Sequence, residues 1–479
     1  MAGYFQIGEQ KIRPGVYFNV QSKDKEVEPI DGIVVCLFRA TTGPIGEVRI
    51  LNTSNRDDYT KVFGTEGTTD TIREALAGGA IRIIACRLGT GGSKSTTSLP
   101  AASGSLLITT KYPGTKPYTV TVRNKLTDPT LKQIVFYEGT TEIERHAFEA
   151  GGDEVAKCID CCKYSTRFDL APSAPTTDPV APAGSGVITN VSQKALLGGA
   201  DPTINNESYS DALLLAEKYY FNTVVIDNED EDIQAIVYGW LDRIYEAGQF
   251  GIASFAPLMR NEMEDRETII SNINHENVAF VLNPDVTDDD DNRLRGYQVA
   301  ARIGGLIAAT PSNQSVTHTV FKDYASLNEK MTNTDIENAE LKGCLVLDTN
   351  NNDEVMLDNG INTLVHPDEN HDNGWKKLRR TKARYELMFR ANNAADELVG
   401  KVNNDKVGRA TIRDALQGVI NDMVSESKLT SGTAAESALV TADGDTCGFS
   451  MDIVDKDSAE KIHIIYYYQW STIESKGIA

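Results

Sequence analysis

The sequence predicts a multidomain α/β protein. It has an α/β core with a mostly parallel sheet and crossover helices, an inserted small all-β domain, and extended β-arms at the N- and C-termini. Three observations lead there. Between 208 and 310, apolar strand-like runs alternate with stripes at helical spacing. Between about 105 and 169, short β-prone runs recur with turn residues beside them. Both ends carry β-formers that no neighbouring pattern absorbs. The 479 residues exceed the size at which one core stops growing, so roughly two to four domains are expected.

Residues 1–20 read as an arm. After the break at Pro14 and Gly15, Val16, Phe18 and Val20 alternate on one face, with Ile12 and Tyr17 beside them. Residues 21–100 form the first part of the core. A buried-type strand at 33–38 and loop chemistry at 41–46 lead to a helix from Asp70 to Ala77, ended by Gly78 and Gly79. A second strand follows at 81–86, and the Gly, Ser and Thr of 90–104 read as a linker. Residues 101–185 form a β-sandwich-like insertion, with its clearest strands at 106–110, 118–122 and 133–137. Pro172, Pro175, Pro179 and Pro182 mark its boundary.

Residues 190–355 continue the core. A helix at 209–220 and a strand at 223–227 precede the stripe of Ile233, Ile236, Val237, Trp240, Leu241 and Ile244. Strands at 250–255 and 277–282 alternate with helices at 263–274 and 292–309, the pattern of parallel strands with crossovers. A strand is expected at 343–347. Residues 356–458 read as an α+β domain, with a strand at 361–365, helices at 376–398 and 406–424, and a strand at 448–454. The second helix places Ile412, Leu416, Val419, Ile420 and Met423 on one face. The closing stretch, 459–479, opens on a strand candidate whose β-prone residues are Ile462, Ile464, Ile465, Tyr466, Tyr467 and Tyr468, and no neighbouring pattern absorbs it.

The formal charge is −22, which disfavours general nucleic-acid binding, since phosphate affinity needs clustered cations. No apolar run is long enough to span a bilayer, and Met1 to Gln10 lack a secretory pattern, so synthesis in a cytoplasm is expected without membrane insertion. Seven cysteines, mostly isolated, fit a reducing compartment. Cys158, Cys161 and Cys162 resemble half a zinc site. His146 is a possible extra ligand but no second pair follows, so reduced thiols are expected and no metal.

The stretch 88–95 lacks the glycines and following helix of a phosphate loop. Gly304 and Gly305 lie in a helical stretch and read as close packing. Asp227 and Asn283 stand at strand ends where α/β enzymes carry catalytic groups, which leaves an α/β enzyme with an appended β-domain as the alternative. Capping and turn formation explain both residues without catalysis. The acidic run Asp288 to Asp291 precedes a predicted helix, where negative charge is favourable. No cofactor site and no catalytic signature emerge. Lys376, Lys377, Arg379, Arg380, Lys382 and Arg384 stand out in an acidic chain. They admit two readings, a solvated helix face or a docking surface for an acidic partner.

Several motifs in fixed order resemble the contractile phage tail sheath family. They are Arg13-Pro-Gly-Val-Tyr17, Thr42-Gly-Pro-Ile-Gly-Glu47, Ala75-Leu-Ala-Gly-Gly-Ala80 running into Ile81 to Leu88, Val299 to Ile307, Gly360-Ile-Asn-Thr-Leu364 and Trp375 to Arg380. The resemblance covers nearly the whole chain. It implies a non-enzymatic structural subunit that assembles in stacked hexameric layers around a tail tube and contracts to drive the tube through a bacterial envelope. It implies arms that add strands to neighbouring subunits' sheets, and a tube-facing stretch at Trp375, Lys376, Lys377, Arg379, Arg380, Lys382 and Arg384. The implied partners are copies of itself, the tube protein, and baseplate and terminator proteins. The implied setting is a virion or a phage-tail-like bacteriocin particle made in a bacterial host.

Overall fold

The computed structural model describes residues 30–174, 184–369 and 371–468, and the backbone of 3–4 and 17–18. Ile12, Val16 and Val20 lie outside the described residues, as do Pro175, Pro179, Pro182 and the end of the C-terminal arm from 469. The chain divides into a unit of Met1–Ile30 and a unit of Asp31–Ala479. Within the first, Gly3–Tyr4 and Tyr17–Phe18 pair as a short parallel ladder.

The second unit is built on a six-stranded sheet. Its spatial order is Val278–Phe280, Ile252–Phe255, Thr223–Ile226, Ile33–Phe38, Arg82–Arg87, Arg49–Leu51. The first five strands run parallel and Arg49–Leu51 is antiparallel at the edge. All six residues of Ile33–Phe38 are buried, because helices cover both faces and leave no side for alternation. On one face lie Asn206–Ala216 and Glu231–Glu246, contributing Tyr209, Leu213, Val237, Leu241 and Ile244. Asn205 opens the first of these helices with a capping box closed by Ser208. On the other face lie Asp70–Ala77 and Gly296–Ala309, contributing Ile72, Ala75, Ala301 and Ala308.

The two helices on that second face pack at backbone distance. A Cβ on Gly305 would stand 2.1 Å from the Ala75 carbonyl oxygen, and one on Gly78 would stand 2.1 Å from that of Arg302. Gly304 faces Val225 just as closely, at 2.4 Å. Arg302 crosses the same contact to reach Glu74 at 2.7 Å, and both side chains are buried.

A β-sandwich interrupts this core. One sheet orders Thr141–Glu149, Asp128–Glu138, Tyr118–Lys125 and Val191–Ala195; the other orders Phe168–Ser173, Ser105–Thr110, Thr96–Ser103 and Ser185–Ile188. The strands extend from Thr96 to Ala195, so two readings give way. The stretch 90–104 is not a linker throughout, since Thr96–Ser103 pairs with Ser105–Thr110. The proline-rich stretch does not close the module, because Ser185–Ile188 and Val191–Ala195 return to it. The module is not all-β either. Glu154–Cys162 is a helix, capped by Asp153 and packed on the sandwich core through Val155, Cys158 and Cys162.

The C-terminal part packs Leu378–Asp396 and Lys406–Ser425 against a hairpin of Leu429–Glu436 and Phe449–Asp455. Leu387, Ile420, Met423 and Leu429 form its small core, with Val419 at the margin. No strand forms at 361–365, where Ile361 makes an isolated bridge to Lys377. Residues 461–468 form no strand. The helix expected from 292 begins at Gly296. Ahead of it Asp288 accepts the amides of Asp290 and Asn292, so the acidic run forms the solvated turn that its composition favours.

Candidate functional site

At the strand ends, Asp227 is buried and fully engaged. It accepts from Arg39 Nε at 2.7 Å, the Thr68 hydroxyl at 2.5 Å and the Tyr209 hydroxyl at 2.7 Å. Burial first, then the charge of Asp227, pushes the Tyr209 phenol well above its ordinary pKa. Asn283 is equally committed. Its Nδ2 donates to the Leu347 carbonyl at 2.8 Å and its Oδ1 accepts the Leu347 amide at 2.9 Å, stitching two segments together. Neither side chain offers a free proton acceptor or nucleophile.

The basic stretch is occupied from within. Lys382 is buried, and its ammonium donates to the carbonyls of Ile307, Ala308 and Thr310 at the end of Gly296–Ala309. It therefore closes a helix C-terminus that would otherwise leave carbonyls unpaired. Burial lowers its pKa to about 8 against the opposing pull of Asp31. Arg384 reaches Glu276 at 2.6 Å and lies over the Trp375 ring at 3.7 Å.

Lys377, Arg379 and Arg380 hold the chain that leaves the hairpin. Lys377 pairs with Glu460, Arg379 donates to the Lys456 carbonyl, and Arg380 pairs with Asp455 at 2.8 Å. Glu460 also accepts from Ser315 at 2.8 Å and Thr317 at 3.2 Å. Burial raises the Glu460 pKa, but hydrogen bonds from Lys377, Ser315 and Thr317 outweigh it and hold the carboxyl below its usual range. Lys376 alone of the six cations has no ion pair among the described residues. Five of the six are thus engaged within the chain: Lys382 and Arg384 brace the folded body, and Lys377, Arg379 and Arg380 clasp the root of its C-terminal segment.

Past that clasp the chemistry changes abruptly. Ile462, Ile464, Ile465, Tyr466, Tyr467 and Tyr468 are all exposed, from 65% at Ile464 to 92% at Tyr468. Six large apolar side chains within seven positions are left in water, an arrangement that favours association. Their strand propensity has no sheet to join within the described residues. The nearby hairpin is a two-stranded sheet with backbone to spare. On Leu429–Glu436, the amide of Gln417 takes up the Ala434 N–H at 2.9 Å and donates to the Gly432 carbonyl at 3.2 Å, which caps that edge. Phe449–Asp455 has no such cover among the described residues.

A third cluster was only half visible in the sequence. On the helix Glu154–Cys162, the sulfurs of Cys158, Cys161 and Cys162 all lie within 4.8 Å of one another, and His146 is not one of the group. Hydrogen bonding from Cys158, then Cys162, pulls the Cys161 thiol down from its ordinary pKa. Sequence reasoning found the three cysteines but not the helix that gathers them. The hairpin strand Leu429–Glu436 was missed altogether, since its Gly432, Ala434 and Ala435 carry little β signal.

Comparison with known proteins bears on this architecture. Residues 203–363 match the family described as phage tail sheath protein central domain. An uncharacterised Bacillus subtilis (strain 168) protein, YqbK, is 22% identical over 484 residues, covering 96% of this chain and 98% of its own. A sheath tail protein from Desulfitobacterium hafniense shares the fold with a TM-score of 0.66 at 18% identity, covering 92% of this chain and 100% of its own. The helical sheath of the anti-feeding prophage in its contracted state gives 0.52 at 10% identity, covering 96% and 100%.

Proposed function

We propose, from the premise that this chain belongs to the contractile tail sheath family, that it is the structural subunit of a sheath that polymerises around a tail tube and shortens to drive it. The observation that carries the reading is the segment 461–468, strand-prone and apolar yet exposed and unpaired, emerging from a clasp that fixes where it starts. Eight extended residues reach about 26 Å, enough to enter a neighbouring molecule's sheet. The complementary edge is Phe449–Asp455, because Gln417 already occupies the opposite one. Strand addition supplies main-chain hydrogen bonds for affinity, and alternating side chains for register.

On this reading the subunit is completed by copies of itself in stacked layers. A tail tube lies inside, and baseplate and terminator proteins close the ends of a phage or phage-tail-like particle. Residues 1–20 serve as the second arm. Of the basic stretch, Lys376 is the cation left to meet a tube, with the Trp375 ring beside it. Contraction repacks the folded bodies while the arms keep layers linked.

The test is electron microscopy of negatively stained full-length and trimmed protein. The full chain should form hollow tubes. Protein lacking 461–479, cut so that Glu460 and the clasp remain, should stay folded by circular dichroism and form none. Removal of 1–20 should act likewise. Normal tubes from both trimmed forms would overturn the arm assignment.

A further inference from the structure

We propose that Cys158, Cys161 and Cys162 form a three-thiolate site for a thiophilic closed-shell metal ion, with zinc(II) as the probe, on the helix that closes the inserted sandwich. Positions i, i+3 and i+4 of a helix share one face, and here the helix Glu154–Cys162 turns that face onto the sandwich core. The sulfurs of Cys161 and Cys162 stand 3.7 Å apart, and all three lie within 4.8 Å. Zinc–sulfur bonds of about 2.3 Å in a tetrahedral arrangement separate the sulfurs by about 3.8 Å, so little movement is needed.

The surroundings suit an ion held on one side and open on the other. Cys158 and Cys162 are 0% and 2% exposed, whereas Cys161 is half-buried and gives a path to solvent. Neighbouring charges are already committed. Glu154 holds Lys132 at 2.8 Å and accepts the amides of Gly151 and Ile188, and Asp160 pairs with Lys163 at 3.0 Å. His146 faces Glu144 at 3.3 Å. Three thiolates therefore supply the ligands, and water fills the fourth position. Each sulfur–metal bond that forms releases one thiol proton to solvent, so uptake is favoured as pH rises. A bound ion would tie both ends of the helix's last turn together and fix it on the sandwich. The sheath assignment neither needs nor supplies this site.

The experiment uses the reduced full-length chain. After equilibration with zinc(II) and desalting, elemental analysis should find one ion per chain, and cobalt(II) should give the intense sulfur-to-metal charge-transfer band of thiolate ligation. Cys161→Ser should weaken zinc retention by more than the roughly tenfold to hundredfold that loss of an outer-shell partner costs. Cys447→Ser, a half-buried thiol outside the cluster, should retain the ion. Absence of the charge-transfer band, or equal retention in Cys161→Ser and the parent, overturns the proposal. If Cys161→Ser does not fold, the cobalt spectrum of the parent decides alone.

Discussion

Lys382 in the basic stretch and Glu460 in the clasp show how a charge can be plain in a sequence while its role is not. Lys382 looks like surface charge until Ile307, Ala308 and Thr310, more than seventy positions away, are brought to it by the fold. Lys382→Met keeps the stem and removes the donor. It should lower stability by about 1–3 kcal/mol, the cost of leaving buried acceptors unpaired. Urea denaturation measures this, and a loss below about 0.5 kcal/mol would mean that water replaces the ammonium at those carbonyls. Glu460 gives a pH dependence of definite sign. Its folded pKa lies below the ordinary value of 4.5, so its stabilisation is complete above that value and is lost as pH falls through the folded one. Protection against hydrogen exchange at 455–460, taken relative to the intrinsic rate at each pH, should therefore fall on acidification below about pH 4.5. In Glu460→Gln protection should already be low at neutral pH and change little with acid. Protection in the parent that does not change with pH would show that the clasp does not depend on this carboxylate.

At the scale of elements, what was legible was what depends on local pattern. Ile33–Phe38 and Thr223–Ile226 are continuous apolar runs because both sheet faces are covered, and such runs announce themselves. The helix Glu154–Cys162 did not, being nine residues long among β-prone neighbours. Residues 461–468 carry strand propensity that finds no partner among the described residues, and a strand is defined by its partner. Gly304 and Gly305 mark a packing requirement that the sequence hinted at and the structure makes quantitative. Gly305→Ala places a methyl 2.1 Å from the Ala75 carbonyl and should cost about 1–3 kcal/mol by forcing the helices apart. Gly239 supplies the contrast. It lies in Glu231–Glu246 with no atom within 4 Å of its would-be Cβ, so Gly239→Ala should stabilise by about 0.5–1 kcal/mol. Thermal denaturation of the two variants measures both shifts, and equal effects would remove the case for close helix contact.

For the whole molecule, the acidic excess and the exposed segment at 461–468 pull in opposite directions, and their balance should set how assembly responds to salt. Each chain carries a formal charge of −22, so free subunits repel one another. The contacts proposed to join them are strand addition and apolar burial, neither of which salt weakens. Surface repulsion is screened over about 10 Å at 0.1 M salt and about 30 Å at 0.01 M. The clasp that positions the segment is only partly exposed, and ion pairs of that kind are screened far less than open ones. Raising salt across that range should therefore speed tube growth while leaving the root of the segment in place. Light scattering follows the growth, and hydrogen exchange at 455–460 follows the clasp. Growth that slows with salt would mean that complementary charges, rather than strand exchange and apolar burial, hold neighbours together. Growth that quickens while exchange at the clasp also quickens would mean that the segment must first be released before it can pair.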